Sequence, residues 1–108
     1  MKYDVLVIAG TTESRQMIEK LLTENPNEKI LASVATELGK EMLLEYDVDV
    51  HVGRLDYEGF LTLLAENPCK KIIDASHPFA KIVSETVKKA ADTAGIPYER
   101  YERTNLQY

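Results

Sequence analysis

Short apolar runs and longer amphipathic stretches alternate along the chain. Most of the runs are continuous and rich in β-branched residues, which is typical of strands buried on both faces of a parallel sheet. Glycine, proline or polar turn residues follow them. The pattern predicts five strands, at residues 5–9, 30–35, 48–52, 71–75 and 98–102.

Apolar residues recur at helical spacing in the stretches between these strands. The first predicted helix covers residues 14–24, and the second and third follow caps at Thr36 and Asp56. The fourth begins at Pro78, where a missing N–H costs nothing, and ends before Gly95, a residue suited to a left-handed cap. The second helix is expected to carry Leu38, Met42 and Leu43. The fourth carries the longest apolar stripe of the chain, made of Ile82, Val83, Val87, Ala90, Ala91 and Ala94.

The element order predicts one α/β domain over residues 1–108. Right-handed crossovers turn this order into an open, mostly parallel five-stranded Rossmann-like sheet with helices on both faces. We expect the strand order 3-2-1-4-5, with residues 5–8 and 72–73 nearly fully buried. Doubly wound domains usually continue past a fifth strand, so the chain is expected to be half of a larger protein.

Composition narrows the class of protein. Hydrophobic residues make up 44% and charged residues 29% of the chain, which indicates a folded domain. The net charge of −5 argues against nucleic acid as a partner. The absence of a long apolar run and of a signal peptide predicts a cytoplasmic protein without membrane contact. Cys69, the single cysteine, is expected to be a partly buried, inert thiol, and no metal-ligand spacing is present.

The loop after the first strand contains Gly10, Thr11, Thr12 and Glu13. The glycine allows a tight turn, the hydroxyls can donate hydrogen bonds, and the following helix start favours an anion. The full G-x-G-x-x-G dinucleotide motif is absent. A plain turn with a threonine cap is the alternative interpretation.

The loop after the third strand contains Gly53, Arg54 and Asp56. Gly53 permits a sharp exit from the strand, Asp56 caps the next helix, and Arg54 is free to reach an acidic ligand. The alternative is a solvated arginine beside a helix cap.

The loop after the fourth strand contains Asp74, Ser76, His77, Pro78 and Phe79. A carboxylate ends a buried strand, and an imidazole follows it directly before a helix start. Ligands of open α/β sheets bind at this edge, so the loop is a candidate site, and His77 is a candidate catalytic residue. The alternative is a histidine that caps the helix.

These three loops, taken in order, resemble those of the precorrin-6A (cobalt-precorrin-6A) reductase family. The matching segments are residues 10–13, 53–56 and 74–80, the last of which reads D-A-S-H-P-F-A. The closing Gly-Ile-Pro at residues 95–97 and the later Arg103 also match. The resemblance covers nearly the whole chain.

The resemblance implies a reductase of the corrin macrocycle in cobalamin (vitamin B12) biosynthesis, with NADH or NADPH as cofactor. It also implies two similar α/β halves with the active site between them. This chain would be the amino-terminal half, and alone it would be inactive. Its partners would be a tetrapyrrole substrate and the carboxyl-terminal half. The implied cofactor-or-substrate residues are Gly10, Thr11, Thr12, Glu13, Thr36, Gly53, Arg54, Asp74, Ser76, His77, Pro78, Phe79 and Arg103. The alternatives are a non-catalytic or regulatory small-molecule-binding domain and an ordinary dehydrogenase cofactor domain.

Overall fold

The structure, a computed structural model, describes residues 2–9, 12–76 and 81–101 of the chain. Its strands are β1 (Tyr3–Ile8), β2 (Ile30–Val34), β3 (Asp49–Val52), β4 (Cys69–Asp74) and β5 (Tyr98–Arg100). Its helices are α1 (Thr12–Glu24), α2 (Glu37–Glu41), α3 (Tyr57–Glu66) and α4 (Lys81–Ala94). The alternation of strands and helices predicted from the sequence is confirmed.

The five strands form one parallel sheet in the order β3-β2-β1-β4-β5, which confirms the predicted topology. The chain first builds the sheet outward from β1 to β3 and then returns to the other side of β1 for β4 and β5. The direction therefore reverses between β1 and β4. In a sheet of this kind, the reversal leaves a crevice outside the carboxyl ends of the strands.

Each face of the sheet has its own hydrophobic core, and β1 contributes to both. Val5 and Val7 face a core that includes Ile18 of α1, whereas Leu6 and Ile8 face a second core of side chains from α3 and α4. This alternation follows from the two-residue period of a strand. All of residues 5–8, together with Ile72 and Ile73 of β4, are buried as predicted.

The predicted helix caps are confirmed. Thr36 Oγ1 accepts a hydrogen bond from Gly39 N, and Asp56 Oδ1 accepts one from Gly59 N. Gly95 has a φ of +73° after α4. Its N–H donates to Asp92 O, and the N–H of Ile96 donates to Ala91 O, which together form a Schellman cap.

Two helix predictions are wrong in detail. Helix α2 ends at Glu41, so Met42 and Leu43 lie in the turn that follows, where Leu43 N donates to Lys40 O in the tighter i to i−3 pattern. Leu43 is nevertheless buried, whereas Leu38 is exposed. The α4 stripe is buried only at Val87, Ala90 and Ala91, while Ile82 is 80% exposed. Pro78 lies outside the described residues.

Cys69 begins β4 and is fully buried, more deeply than predicted. Burial raises the pKa of its thiol to about 11. Its Sγ donates a hydrogen bond to Asn67 O at 3.0 Å. The thiol is therefore protonated and shielded at neutral pH, which makes it unreactive.

Within the described ranges, no helix is both long and apolar enough to cross a membrane.

Candidate ligand-binding cleft

A cleft of about 580 Å³ lies at the carboxyl edge of the sheet. Its walls are the ends of β1 and β2, the loops that follow β2, β3 and β4, and parts of α2, α3 and α4. This is the edge at which ligands bind in open α/β sheets. The cleft is therefore the candidate site.

The cleft brings together residues from two of the three predicted loops, together with the predicted cap residue Thr36. Thr36, Gly53, Arg54 and Ser76 all line it, although they are separated by up to 40 residues in sequence. Thr12 and Glu13 begin α1, and the structure does not describe their side chains. Also outside the described residues are Gly10, Thr11, His77, Pro78, Phe79 and Arg103.

Arg54 lies at the mouth of the cleft and is exposed. Gly53 precedes it with a φ of +130°, a conformation that side-chain-bearing residues rarely adopt. The N–H of Gly53 still donates to Val34 O at 2.8 Å, so the turn begins where the pairing of β3 with β2 ends. Among the residues the structure describes, Arg54 has no hydrogen-bond or ion-pair partner. Its guanidinium can therefore bind an anionic group of a ligand.

Thr36 occupies the wall next to β2. Its Oγ1 accepts a hydrogen bond from Gly39 N at 3.2 Å, which leaves the hydroxyl hydrogen able to donate to a ligand. Gly39 itself lies against the end of β2, because a Cβ added there would be 3.0 Å from Val34 Cβ. The missing side chain at position 39 allows α2 to pack this closely against β2.

Asp74 lies beneath the cleft and is completely buried. Its Oδ1 accepts hydrogen bonds from Ser76 N at 3.0 Å and Ser76 Oγ at 2.6 Å, and its Oδ2 accepts one from Tyr98 OH at 2.5 Å. Burial acts to raise the pKa of Asp74, but hydrogen bonds from Ser76 and Tyr98 outweigh it and hold the pKa below its ordinary value. Asp74 is thus an ionised carboxylate that orients the Ser76 hydroxyl.

This geometry separates two of the polar residues predicted in the loop after the fourth strand. Ser76 lines the cleft, and its hydroxyl hydrogen points to Asp74. Asp74 does not line the cleft, so within the described residues it acts through Ser76. Arg100 places Nη1 within 3.2 Å of oxygens of Asp74, Ser76 and Ser84. That nitrogen is engaged within the chain.

Sequence reasoning missed several cleft residues. Ala9, Ser33, Leu38, Met42 and Val83 also contribute to the walls. Val83 belongs to the apolar stripe predicted for α4, but it is 37% exposed. It lies in the first turn of the helix, whereas the buried part of the stripe begins at Val87. Its spacing of four residues from Val87 gave no indication of where the core ends.

The fold and the cleft define an open, doubly wound α/β domain of the Rossmann-like class. Residues 4–108 match the model of the family described as Precorrin-6x reductase CbiJ/CobK. The chain belongs to this family, which confirms the resemblance seen in the three loops.

Curated relatives agree with this assignment. The cobalt-precorrin-6A reductase of Salmonella typhimurium is 39% identical over 100 residues, which cover 93% of this chain and 37% of the relative. That of Priestia megaterium is 35% identical over 104 residues, covering 96% of this chain and 40% of the relative. The chain thus spans about two fifths of the length of these relatives.

Solved structures give the same picture. The chain is similar to CobK precorrin-6A reductase, with a TM-score of 0.80 and 25% identity, over 98% of this chain and 41% of that protein. It also shares its fold with saccharopine dehydrogenase from Saccharomyces cerevisiae, with a TM-score of 0.69 and 16% identity, over 94% of this chain and 22% of that one. The second similarity concerns the fold alone.

Proposed function

We propose that this chain is the amino-terminal domain of a cytoplasmic enzyme that reduces a double bond of cobalt-precorrin-6A or precorrin-6A in cobalamin biosynthesis, with NADH or NADPH as hydride donor. The observation that carries the proposal is the cleft at the carboxyl edge of the sheet in a chain of this family. Both proposed ligands are anionic, since the cofactor carries phosphates and the macrocycle carries carboxylates.

The residues of the cleft suit such ligands. None of the described residues that line it is acidic, although the chain has a net charge of −5. Among the described lining residues, Arg54 is the one that is charged, and it has no partner within the described residues. The hydroxyl hydrogen of Thr36 is a second donor. The described lining thus offers cationic and hydroxyl donors and no carboxylate side chain. Such a lining favours ligands that carry phosphate or carboxylate groups.

A bound nicotinamide supplies the hydride, so the protein needs to hold donor and acceptor carbons in register and keep water away. Arg54 and Thr36 bind the anionic and polar groups. Ser76, whose hydroxyl is fixed by Asp74, forms part of the wall. Leu38 and Val83 give the walls an apolar part, against which a macrocycle or a nicotinamide ring can pack. None of these roles requires an acid–base pair in this domain.

We further propose that the other half of the enzyme completes the active site. This chain spans about two fifths of the curated relatives, and its cleft is open at the edge of the sheet. A tetrapyrrole is much larger than a nicotinamide ring, so one open wall is insufficient to enclose both. The 108-residue domain alone is then expected to be inactive.

The test is an anaerobic assay of the full-length protein and of the 108-residue domain. Each is mixed with cobalt-precorrin-6A or precorrin-6A and with NADH or NADPH, and nicotinamide absorbance and product mass are followed. We expect the full-length protein to oxidise one nicotinamide for each macrocycle that gains two hydrogens. Binding of nicotinamide without turnover of either macrocycle would overturn the reductase assignment. Equal turnover by the isolated domain would overturn the two-half active site.

A further inference from the structure

Arg100, at the end of edge strand β5, connects three separate parts of the chain. Its Nη1 lies 3.1 Å from Asp74 Oδ1, 3.0 Å from Ser76 Oγ and 3.2 Å from Ser84 Oγ. Asp74 ends β4, Ser76 follows it, and Ser84 lies in the first turn of α4. The Arg100 side chain is 22% exposed, so the nitrogen works in a largely dry environment.

A second residue of β5 strengthens the same arrangement. Tyr98, two residues before Arg100, donates to the other oxygen of Asp74 at 2.5 Å. The two side chains therefore extend from the same side of the strand. Asp74 already accepts hydrogen bonds from the N–H and O–H of Ser76 and from Tyr98. Arg100 adds the opposite charge, and the same nitrogen also reaches both serines.

Two of the oxygens that Arg100 contacts belong to residues in or next to one wall of the cleft, the β4–α4 wall formed by Ser76 and Val83. Ser76 lines the cleft itself, and Ser84 follows Val83, which also lines it. Ser76 Oγ and Ser84 Oγ are 3.3 Å apart. The guanidinium thus fixes the end of β4 and the start of α4 at one separation, and this separation sets the shape of that wall.

We propose that Arg100 is a positioning residue of the reductase: by bridging Ser76 and Ser84, it holds the β4–α4 wall of the cleft in the geometry that turnover requires. Its effect on the rate rests on the proposed function, whereas its effect on the wall does not. Lysine is a poor substitute, because a single ammonium on a flexible stem lacks the planar fork of a guanidinium.

The experiment uses Arg100→Ala and Arg100→Lys in the full-length protein, with guanidinium chloride in the millimolar range as a chemical replacement. Arg15→Ala is the matched control, because Arg15 forms an exposed ion pair with Glu45 away from the cleft. Measurements are kcat and KM for each substrate, the thermal midpoint, and amide hydrogen exchange of peptides that cover residues 81–86.

We expect Arg100→Ala to lower kcat/KM by roughly tenfold to a hundredfold, the scale of misplacing reacting groups by about 1 Å. Arg100→Lys should recover little of this loss. Guanidinium should restore much of the rate in Arg100→Ala, and sodium chloride at equal ionic strength should not. Exchange at residues 81–86 should quicken in Arg100→Ala, return towards normal with guanidinium, and stay unchanged in Arg15→Ala.

Two results would overturn the positioning role. One is an unchanged kcat/KM in Arg100→Ala, and the other is a loss that guanidinium fails to restore, which indicates general destabilisation. If the wild-type protein turns over neither macrocycle, the proposed function has failed, and the exchange data decide about Arg100. Unchanged exchange at residues 81–86 would then overturn its role in the wall, and guanidinium-dependent protection would support it.

Discussion

The phenol of Tyr3 donates a 2.6 Å hydrogen bond to Asp49 Oδ2, which joins the central strand β1 to the edge strand β3 across β2. The two residues are 46 positions apart in sequence. This hydrogen bond is the main reason that the pKa of Tyr3 is raised to about 12, and burial of the ring contributes further. The bond fixes the amino edge of the sheet, opposite the cleft.

The Tyr3–Asp49 pair predicts a specific alkaline loss of stability. Because the folded-state pKa is raised, the stabilisation is complete below the ordinary tyrosine pKa of about 10 and declines as the pH rises through 12. Tyr3→Phe should cost about 1 kcal/mol at neutral pH. The difference from wild type should shrink between pH 10 and 12, as measured by urea unfolding. Asp49→Asn should flatten the same decline, and a constant difference across this range would contradict the prediction.

Gly95 predicts a backbone cost at the end of α4. Its φ of +73° disfavours any residue with a Cβ, whereas no heavy atom lies within 4 Å of an added Cβ, so strain is the only penalty. Gly95→Ala should lower the free energy of unfolding by about 1 kcal/mol, and Gly95→Asn by less. Lys88→Ala, at an exposed position of the same helix, is the control and should change stability by less than about 0.5 kcal/mol. Equal effects of Gly95→Ala and Lys88→Ala would argue against strain.

Arg54 predicts a loss of ligand affinity without a loss of stability. It is exposed and has no partner among the described residues, so Arg54→Gln should leave the thermal midpoint unchanged. Losing a charge-assisted hydrogen bond to an anion should raise the KM of the ligand it binds by roughly tenfold. Separate KM values for nicotinamide and macrocycle identify whether Arg54 binds a phosphate or a carboxylate. If both values equal those of wild type, Arg54 is the solvated arginine of the alternative interpretation.

His77 lies outside the described residues, and its role is predicted from the sequence. We expect His77→Asn in the full-length protein to retain stability and to lower kcat/KM by about tenfold, because an unpaired polar ligand group costs roughly 1–3 kcal/mol. A drop of several degrees in the thermal midpoint with kcat/KM preserved would identify a helix cap instead. A loss in kcat alone that is recovered at lower pH would indicate proton transfer.

The fold was predictable because each strand of a parallel sheet carries its own local pattern. The burial of Val5, Leu6 and Val7 follows from a continuous apolar run, and the crossovers follow from the helices between runs. The end of α2 was not predictable in the same way, because the spacing of Leu38, Met42 and Leu43 fits one helix. Turn hydrogen bonds after Glu41 decide where that helix stops.

The candidate site was predictable where it depends on the strand ends. Gly53 and Arg54 directly follow a strand, so their position at the carboxyl edge needs only the topology. The role of Arg100 in holding Ser76 was not predictable, since these residues are 24 positions apart and their contact depends on the packing of β5 beside β4. Local patterns carry no information about such a contact.

The buried thiol of Cys69 allows unfolding of the domain to be measured by thiol labelling. It is the only cysteine of the chain, and its side chain begins a strand that pairs with the central β1. A thiol-specific reagent reaches such a group only when the sheet opens, so labelling in this domain counts opening events, with no engineered probe. Ligands that bind the cleft of the folded state should slow that labelling in proportion to their occupancy. The labelling rate of a thiol at the amino edge of the sheet therefore measures binding at the carboxyl edge.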